Sequence, residues 1–412
     1  MAENTYEARL KRVEDAIALK EPDRVPICPN FGILAYGMEG CSNKDAMYNY
    51  PRAFRAQMDF YRKHPMMDAA CYAPFTCGKA NEIAGTTIID WPGRPGTKVP
   101  DQSTYQVIEY EYMFEEEYPE ILKDFTGFML RKWVPRAFTS LKGLSGIRFE
   151  PTAMLGTLPL KNLGTPEAIR AFETLAEIAK AEAECNEWNG KLAQGFTDLG
   201  YPEFFNNLGE VPFDVIGDYY RGTLATLTDQ LDHEEELEEL CYRIADLEIE
   251  AFSYYKDDPR HIKRISFPFH KGMDGFMSAD QYERIYWKPF RKIVDALIEM
   301  GVTPYLYTEG KYNTRLEQLR DLPKGKCMIH FERVNMKEAK RILGENSCIV
   351  GNFPMILLDT GTPHQVEEEV KRLLDICMPG GGYIFDCDGS IDLAKPENLD
   401  AMFNALLKYG TY

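Results

Sequence analysis

Residues 303–353 read TPYLYTEGKYNTRLEQLRDLPKGKCMIHFERVNMKEAKRILGENSCIVGNF, three short apolar runs separated by two stretches of helical period. The runs TPYLYT (303–308), KCMIHF (326–331) and CIVGNF (348–353) are nearly continuous in apolar residues rather than alternating. A strand with that pattern is buried on both faces, as parallel strands are. Working outward, RISFPF (264–269) precedes them, followed by a helical run from Ser278 to Met300. Beyond them lie a helix from Pro363 to Ile376, the strand GYIFDC (382–387) and a helix from Pro396 to Tyr409. Five strands alternating with amphipathic helices, with Gly301, Gly310, Gly325, Gly344 and Gly361 near the junctions, are the signature of parallel βαβ units.

The first half supplies strand candidates at RVPICPN (24–30), DAACYAP (68–74) and KLAQGF (191–196), and helices at 51–63, 166–187 and 234–256. Residues 88 to about 150 break the rhythm and predict an inserted, tyrosine- and glutamate-rich hairpin beside the barrel mouth. With no internal repeat or low-complexity linker, residues 1–412 are expected to form one α/β domain, a (β/α)8 TIM barrel. A doubly wound sheet is the rival, but no GxGxxG or Walker loop follows any strand.

The chain has 412 residues, 65 acidic against 47 basic, with a net charge of −18. That charge repels nucleic acid and anionic membranes, so small molecules or proteins are the expected partners. No apolar run is long enough for a membrane span or a secretory signal, and the ten cysteines form no CxxC pair or regular framework. A cytoplasmic location with reduced thiols is expected.

In a barrel of this kind the reactive groups sit at the C-terminal ends of the strands. Four ends carry polar clusters: His270, Lys271 and Asp274; Glu309; His330 and Glu332; and Asp386, Cys387 and Asp388. Asp274 or Asp388 can equally be a helix cap, and a lone histidine is more often structural than a ligand. Convergence of the four ends on one mouth makes a site the better expectation. Imidazole and carboxylate together suit zinc with an open position, and a metal-free pair with Glu309 or His330 as proton donor is the alternative. Phe31, Tyr36, Phe205, Phe276 and Tyr307, with Asp274, are the expected substrate-facing residues.

The phrases PDRVPICPN (22–30), VPFDVIGDYYRG (211–222), LRDLPKGKCMIHFERVNMKEAKRILG (319–344), CIVGNFPMILLDTGTPHQVEEEVKRLLDIC (348–377) and AKPENLDAMFNALLKYG (394–410) resemble the uroporphyrinogen-decarboxylase superfamily. The resemblance implies a (β/α)8 barrel. The decarboxylase branch grips its substrate with an arginine-rich N-terminal motif, and the matching stretch here, ICPNFGILAYGMEG (27–40), has no arginine. The cobamide-dependent methyltransferase branch has thiol-alkylating members with a His-x-Cys and a later Cys. Those places hold Tyr307, Glu309 and Asp388 here.

The chain looks closer to ether-cleaving members, the first methyltransferases of corrinoid-dependent O-demethylases acting on methoxylated aromatics. Their Glu-to-His ligand spacing of about twenty residues resembles Glu309 and His330. Their earlier glutamate falls on Val294, so the third ligand is sought among Asp388, Cys387 and His270, in that order. The resemblance therefore implies zinc on Glu309, His330 and Asp388, catalysis by Glu309, His330 and His270, and a separate corrinoid (cobalamin) protein as methyl acceptor. A non-aromatic donor such as a methylamine, methanol or a methyl thioether is the rival, with a non-catalytic binding barrel more distant.

Overall fold

The computed structural model describes residues 5–152 and 156–412. Its centre is a six-stranded parallel sheet whose strands follow one another in chain order. The strands are Asn207–Leu208, Arg264–Phe269, Thr303–Thr308, Met328–Phe331, Cys348–Gly351 and Tyr383–Ile384. The registers pair Ile265 with Pro304, Tyr307 with His330, and His330 with Val350, which brings the strand ends to one level.

Two further segments complete the ring through single bridges. Ile27 pairs in parallel with Phe385, and Ala70 with Glu203. The amide of Asp68 donates to the carbonyl of Ile27 at 2.8 Å, joining the two segments to each other. The eight positions thus form the (β/α)8 architecture expected from the sequence.

Asp68 also secures the closed end of the ring. Its fully buried carboxylate accepts from Arg12, from Arg24 and from the Ile27 amide, tying the N-terminal helix Tyr6–Ile17 to the first two segments. The inner face of the ring carries Cys28, Ala69, Cys71, Phe204, Tyr305, Met328, Cys348, Val350 and Ile384. The outer face, with Ile265, Phe267, Leu306, Ile329 and Ile349, packs against the helices. This two-sided burial is why those strands read as continuous apolar runs.

One expected strand is not a strand. Residues 191–196 lie inside a single helix, Pro166–Asp198. Its buried positions Ala181, Cys185, Leu192 and Phe196 fall on a helical period, so packing along one face carries the helix past 187. The third barrel strand is instead the short, poorly buried Asn207–Leu208.

The segment from 88 onward forms a small antiparallel pair, Ile89–Asp90 with Gln106–Val107. It then runs beside the helical stretch 212–220. The amides of Tyr112 and Met113 both donate to the Tyr220 carbonyl, and Trp133 Nε1 donates to the Tyr219 carbonyl. No helix among the described residues is long and apolar enough to cross a membrane.

Candidate active site at the strand ends

The strand Arg264–Phe269 delivers His270 and Lys271 to the mouth of the ring. Their backbone amides donate to the two carboxylate oxygens of Asp214, each at 2.9 Å. Asp214 is fully buried and also accepts from the Tyr286 hydroxyl at 2.7 Å, so the turn after the strand is fixed in place. Four residues beyond Asp214, Asp218 faces the side chains of the same pair. His270 Nδ1 lies 2.6 Å from Asp218 Oδ2, and the Lys271 ammonium pairs with the other oxygen.

Asp218 is placed by a wide turn of helix. Pro212–Val215 is α-helical and Ile216–Tyr220 is a π turn, a local expansion often found at functional sites. Gly217 in this turn sits against Lys271. A methyl group there would lie 2.6 Å from Lys271 Cδ and Cε, so a larger residue would push the ammonium away from Asp218.

His270 Nε2 points the other way, toward Glu309 Oε1 at 3.8 Å. Burial works against a charged imidazole here. The hydrogen bond to Asp218 and the charges of Asp214, Asp218 and Glu309 outweigh it and push the pKa up to about 9. At neutral pH His270 is therefore an imidazolium clamped at one nitrogen and facing the mouth with the other. Glu309, half-exposed, has its pKa raised by desolvation despite His270 beside it.

A second carboxylate pair flanks this cluster. Glu210, at the end of the third strand, donates its amide to Glu248 Oε1 at 3.2 Å, and each carboxyl keeps one buried oxygen without a hydrogen-bond partner. Desolvation raises Glu210 to about 7 and Glu248 to about 8. Both are substantially protonated near neutrality, which relieves the burial of two like charges.

The other expected site residues are placed differently. His330 is fully buried, its ring stacked on Tyr307 with centroids 4.0 Å apart and planes at 8°. Its Nε2 lies 2.8 Å from the Cys387 carbonyl, its Nδ1 has no hydrogen-bond partner, and burial lowers its pKa to about 4. His330 is thus a neutral, enclosed imidazole near neutral pH. Asp386 beside it accepts from the Asn30 and Cys387 amides, and desolvation raises it to about 7.

Asp388 Oδ1 accepts from the Met355 amide. Asp274 is a cap, accepting from the Asn313 and Thr314 amides and the Thr314 hydroxyl. Phe31 packs on Phe60 and Phe403, and Tyr36 is buried in the same core cluster. Phe205 lines a cavity of about 190 Å³ with Tyr72, Glu203 and Asn207, which none of the His270 cluster lines. Phe276 is half-buried in the turn after His270.

The expected zinc ligands do not converge. Glu309 approaches His270, His330 Nε2 is engaged by the Cys387 carbonyl, and Asp388 accepts from the Met355 amide. Among the described residues no three His, Cys, Asp or Glu side chains form a group able to hold a metal ion. This donor arrangement does not fit zinc.

Sequence reasoning passed over Asp214 and Asp218. The signal was present: Glu210, Asp214 and Asp218 recur every fourth residue, a spacing that puts acids on one face of a helix.

Residues 211–409 match the family model described as uroporphyrinogen decarboxylase (URO-D). The chain is 30% identical over 135 residues to the methylcobamide:CoM methyltransferase MtbA of Methanosarcina acetivorans, covering 32% of this chain and 38% of that one. It is 31% identical over 127 residues to the uroporphyrinogen decarboxylase of Geobacter sulfurreducens, covering 30% and 36%. The chain thus spans less than two fifths of the length of these curated relatives. In structure it resembles a methyltransferase from Methanosarcina mazei, with a TM-score of 0.58 over 99% of both chains at 14% identity, a likeness of fold.

Proposed function

We propose that this protein is a methyltransferase that moves the methyl group of a methoxylated aromatic to the Co(I) corrinoid of a separate protein, releasing the phenol. The observation that carries the proposal is the His270 imidazolium, clamped by Asp218 with its second nitrogen facing the mouth. Phenoxide is a poor leaving group, and a proton or a positive charge at the departing oxygen is what its departure needs. As the C–O bond breaks, its electron pair goes to oxygen and His270 Nε2 supplies the proton. The corrinoid supplies the electron pair for the new bond to the methyl carbon.

Asp218 orients His270 and keeps it charged before reaction. Lys271 balances the second Asp218 oxygen, so the carboxylate carries two cations and Asp214 fixes the backbone of both. Tyr307, stacked over His330, offers an aromatic surface at the mouth. The similarity to a methylcobamide:CoM methyltransferase supports cobamide-linked methyl transfer. All ten cysteines are buried, which disfavours a thiolate-based ligand set at the mouth.

A second reading has its own observation. Asp218, Glu309 and Glu332 gather beside His270 and Lys271, a group of carboxylates that favours a cationic donor such as a methylammonium. One experiment separates the two. The enzyme is mixed with a corrinoid protein reduced to Co(I) and a panel of methoxyarenes, methylamines, methanol and methyl thioethers. The loss of Co(I) absorbance and the demethylated product are then measured together. Phenol formed in step with Co(I) loss supports the first reading; transfer from a methylamine alone replaces it with the second.

A further inference from the structure

The closed end of the ring, opposite the His270 cluster, holds a buried cation that its surroundings leave poorly compensated. Arg264 begins its strand there and is 3% exposed. Its Nη1 donates to the carbonyls of Glu203 and Phe204 at 3.2 and 3.4 Å, long bonds to neutral acceptors. The nearest carboxylate oxygen, Glu14 Oε1, is 3.9 Å away and already lies 2.7 Å from His261 Nε2. Burial weighs on the guanidinium and lowers its pKa.

The other buried arginines among the described residues have shorter contacts, although Arg9 Nε is buried without a hydrogen-bond partner. Arg12 and Arg221 each hold a carboxylate through two nitrogens. Arg9 and Arg315 lie over the Tyr201 and Tyr282 rings and donate to carbonyls at 2.8 and 2.7 Å. Arg264 lines a cavity, as Arg12 and Arg221 do, and differs from those two in holding no carboxylate by hydrogen bond. About 120 Å³ of open space adjoins it, bordered by Glu14, His261, Lys263 and Thr303. A buried charge beside a cavity is stabilised by an anion that fills it.

We propose that this cavity is a binding site for a small tetrahedral oxyanion, inorganic phosphate or sulfate, with Arg264 as its main ligand and Lys263 and His261 at the rim. The cavity admits a small oxyanion beside the guanidinium. Lys263 spends one hydrogen bond on the Tyr255 carbonyl at 3.0 Å and keeps further donors. Glu14 is the competing anion. It is 42% exposed on the helix Tyr6–Ile17 and occupies the entrance, so the oxyanion binds as Glu14 turns out to solvent. The site is independent of the chemistry at the mouth.

Calorimetric titration of the full chain with inorganic phosphate, sulfate and glycerol phosphate tests this. Phosphate or sulfate is expected to bind with a Kd on the order of 1 mM or tighter, and glycerol phosphate more weakly. Glu14→Gln removes the competitor and is expected to tighten binding about tenfold; Arg264→Gln is expected to weaken it by at least about tenfold. If Arg264→Gln does not fold, Lys263→Met at the rim takes its place, with a loss of several-fold expected. Glycerol phosphate binding as tightly as phosphate would make the ligand a phosphate ester and overturn the assignment to a free ion. No binding by either the natural chain or Glu14→Gln up to about 10 mM, or affinities unchanged by all three substitutions, would overturn the site.

Discussion

Among single residues, the charge of His270 decides whether the mouth can donate a proton. Its pKa of about 9 lies above the ordinary imidazole value, so the stabilisation it contributes is complete below about 6.5 and is lost as pH rises through about 9. The donating form is lost over the same window, so activity is expected to fall above about pH 9. Asp218→Asn removes the hydrogen bond and charge that outweigh burial. The basic limb of the rate profile is expected to move down toward the ordinary imidazole value, with kcat at pH 8 reduced about 100-fold. A rate profile measured for both forms checks this, and an unmoved limb would show that another group sets it. His270 was legible as a polar residue after a strand, as was Glu309. The neutrality of His330 was not, because it depends on a ring of packed strands around the imidazole that no local pattern records.

At the scale of elements, the C-terminal half was legible because its strands are apolar on both faces and its helices amphipathic. The third strand was not, since Asn207–Leu208 is only two residues long and poorly buried, while the helix Pro166–Asp198 ends in a run that resembles a strand. The π turn at Ile216–Tyr220 was equally invisible, being an expansion set by what the helix packs against. It yields a prediction: Gly217→Ala drives its methyl into Lys271 and disturbs the Asp218 clamp, so activity is expected to drop about tenfold with a Tm change of only a few degrees. Parallel kinetics and calorimetry check this, and full activity would mean that Lys271 is free to move without consequence.

The helix Glu234–Ala251 yields another prediction. Burial raises Glu248 to about 8, so the folded state binds a proton that the unfolded state releases at an ordinary carboxyl pKa, and stability falls as pH rises between the two values. Glu248→Gln is expected to raise Tm by a few degrees at pH 8 and by less at pH 5. A gain independent of pH would place its cause elsewhere.

At the scale of the whole molecule, ring closure rests on Asp68. It joins two arginines and a backbone amide where the first two segments meet the N-terminal helix. Asp68→Ala leaves buried Arg12 without one of its partners and is expected to cost about 3–5 kcal/mol in denaturant unfolding. A loss within about 0.5 kcal/mol would show that closure does not depend on it. The fold as a whole was legible from periodicity. The site was legible only in outline, because its decisive acids come from the helix after the weakest strand.

The central claim, that His270 protonates the departing oxygen, is tested most directly by the dependence of methyl-transfer rate on the leaving phenol. The natural chain and His270→Gln are compared under single turnover with a corrinoid protein at Co(I), across para-substituted anisoles from methoxy to nitro. Loss of a proton donor is expected to cost about 100-fold or more for the most basic phenoxides and little for 4-nitroanisole, so the slope against phenol pKa steepens. An equal loss across the series, leaving the slope unchanged, would contradict the proposed role.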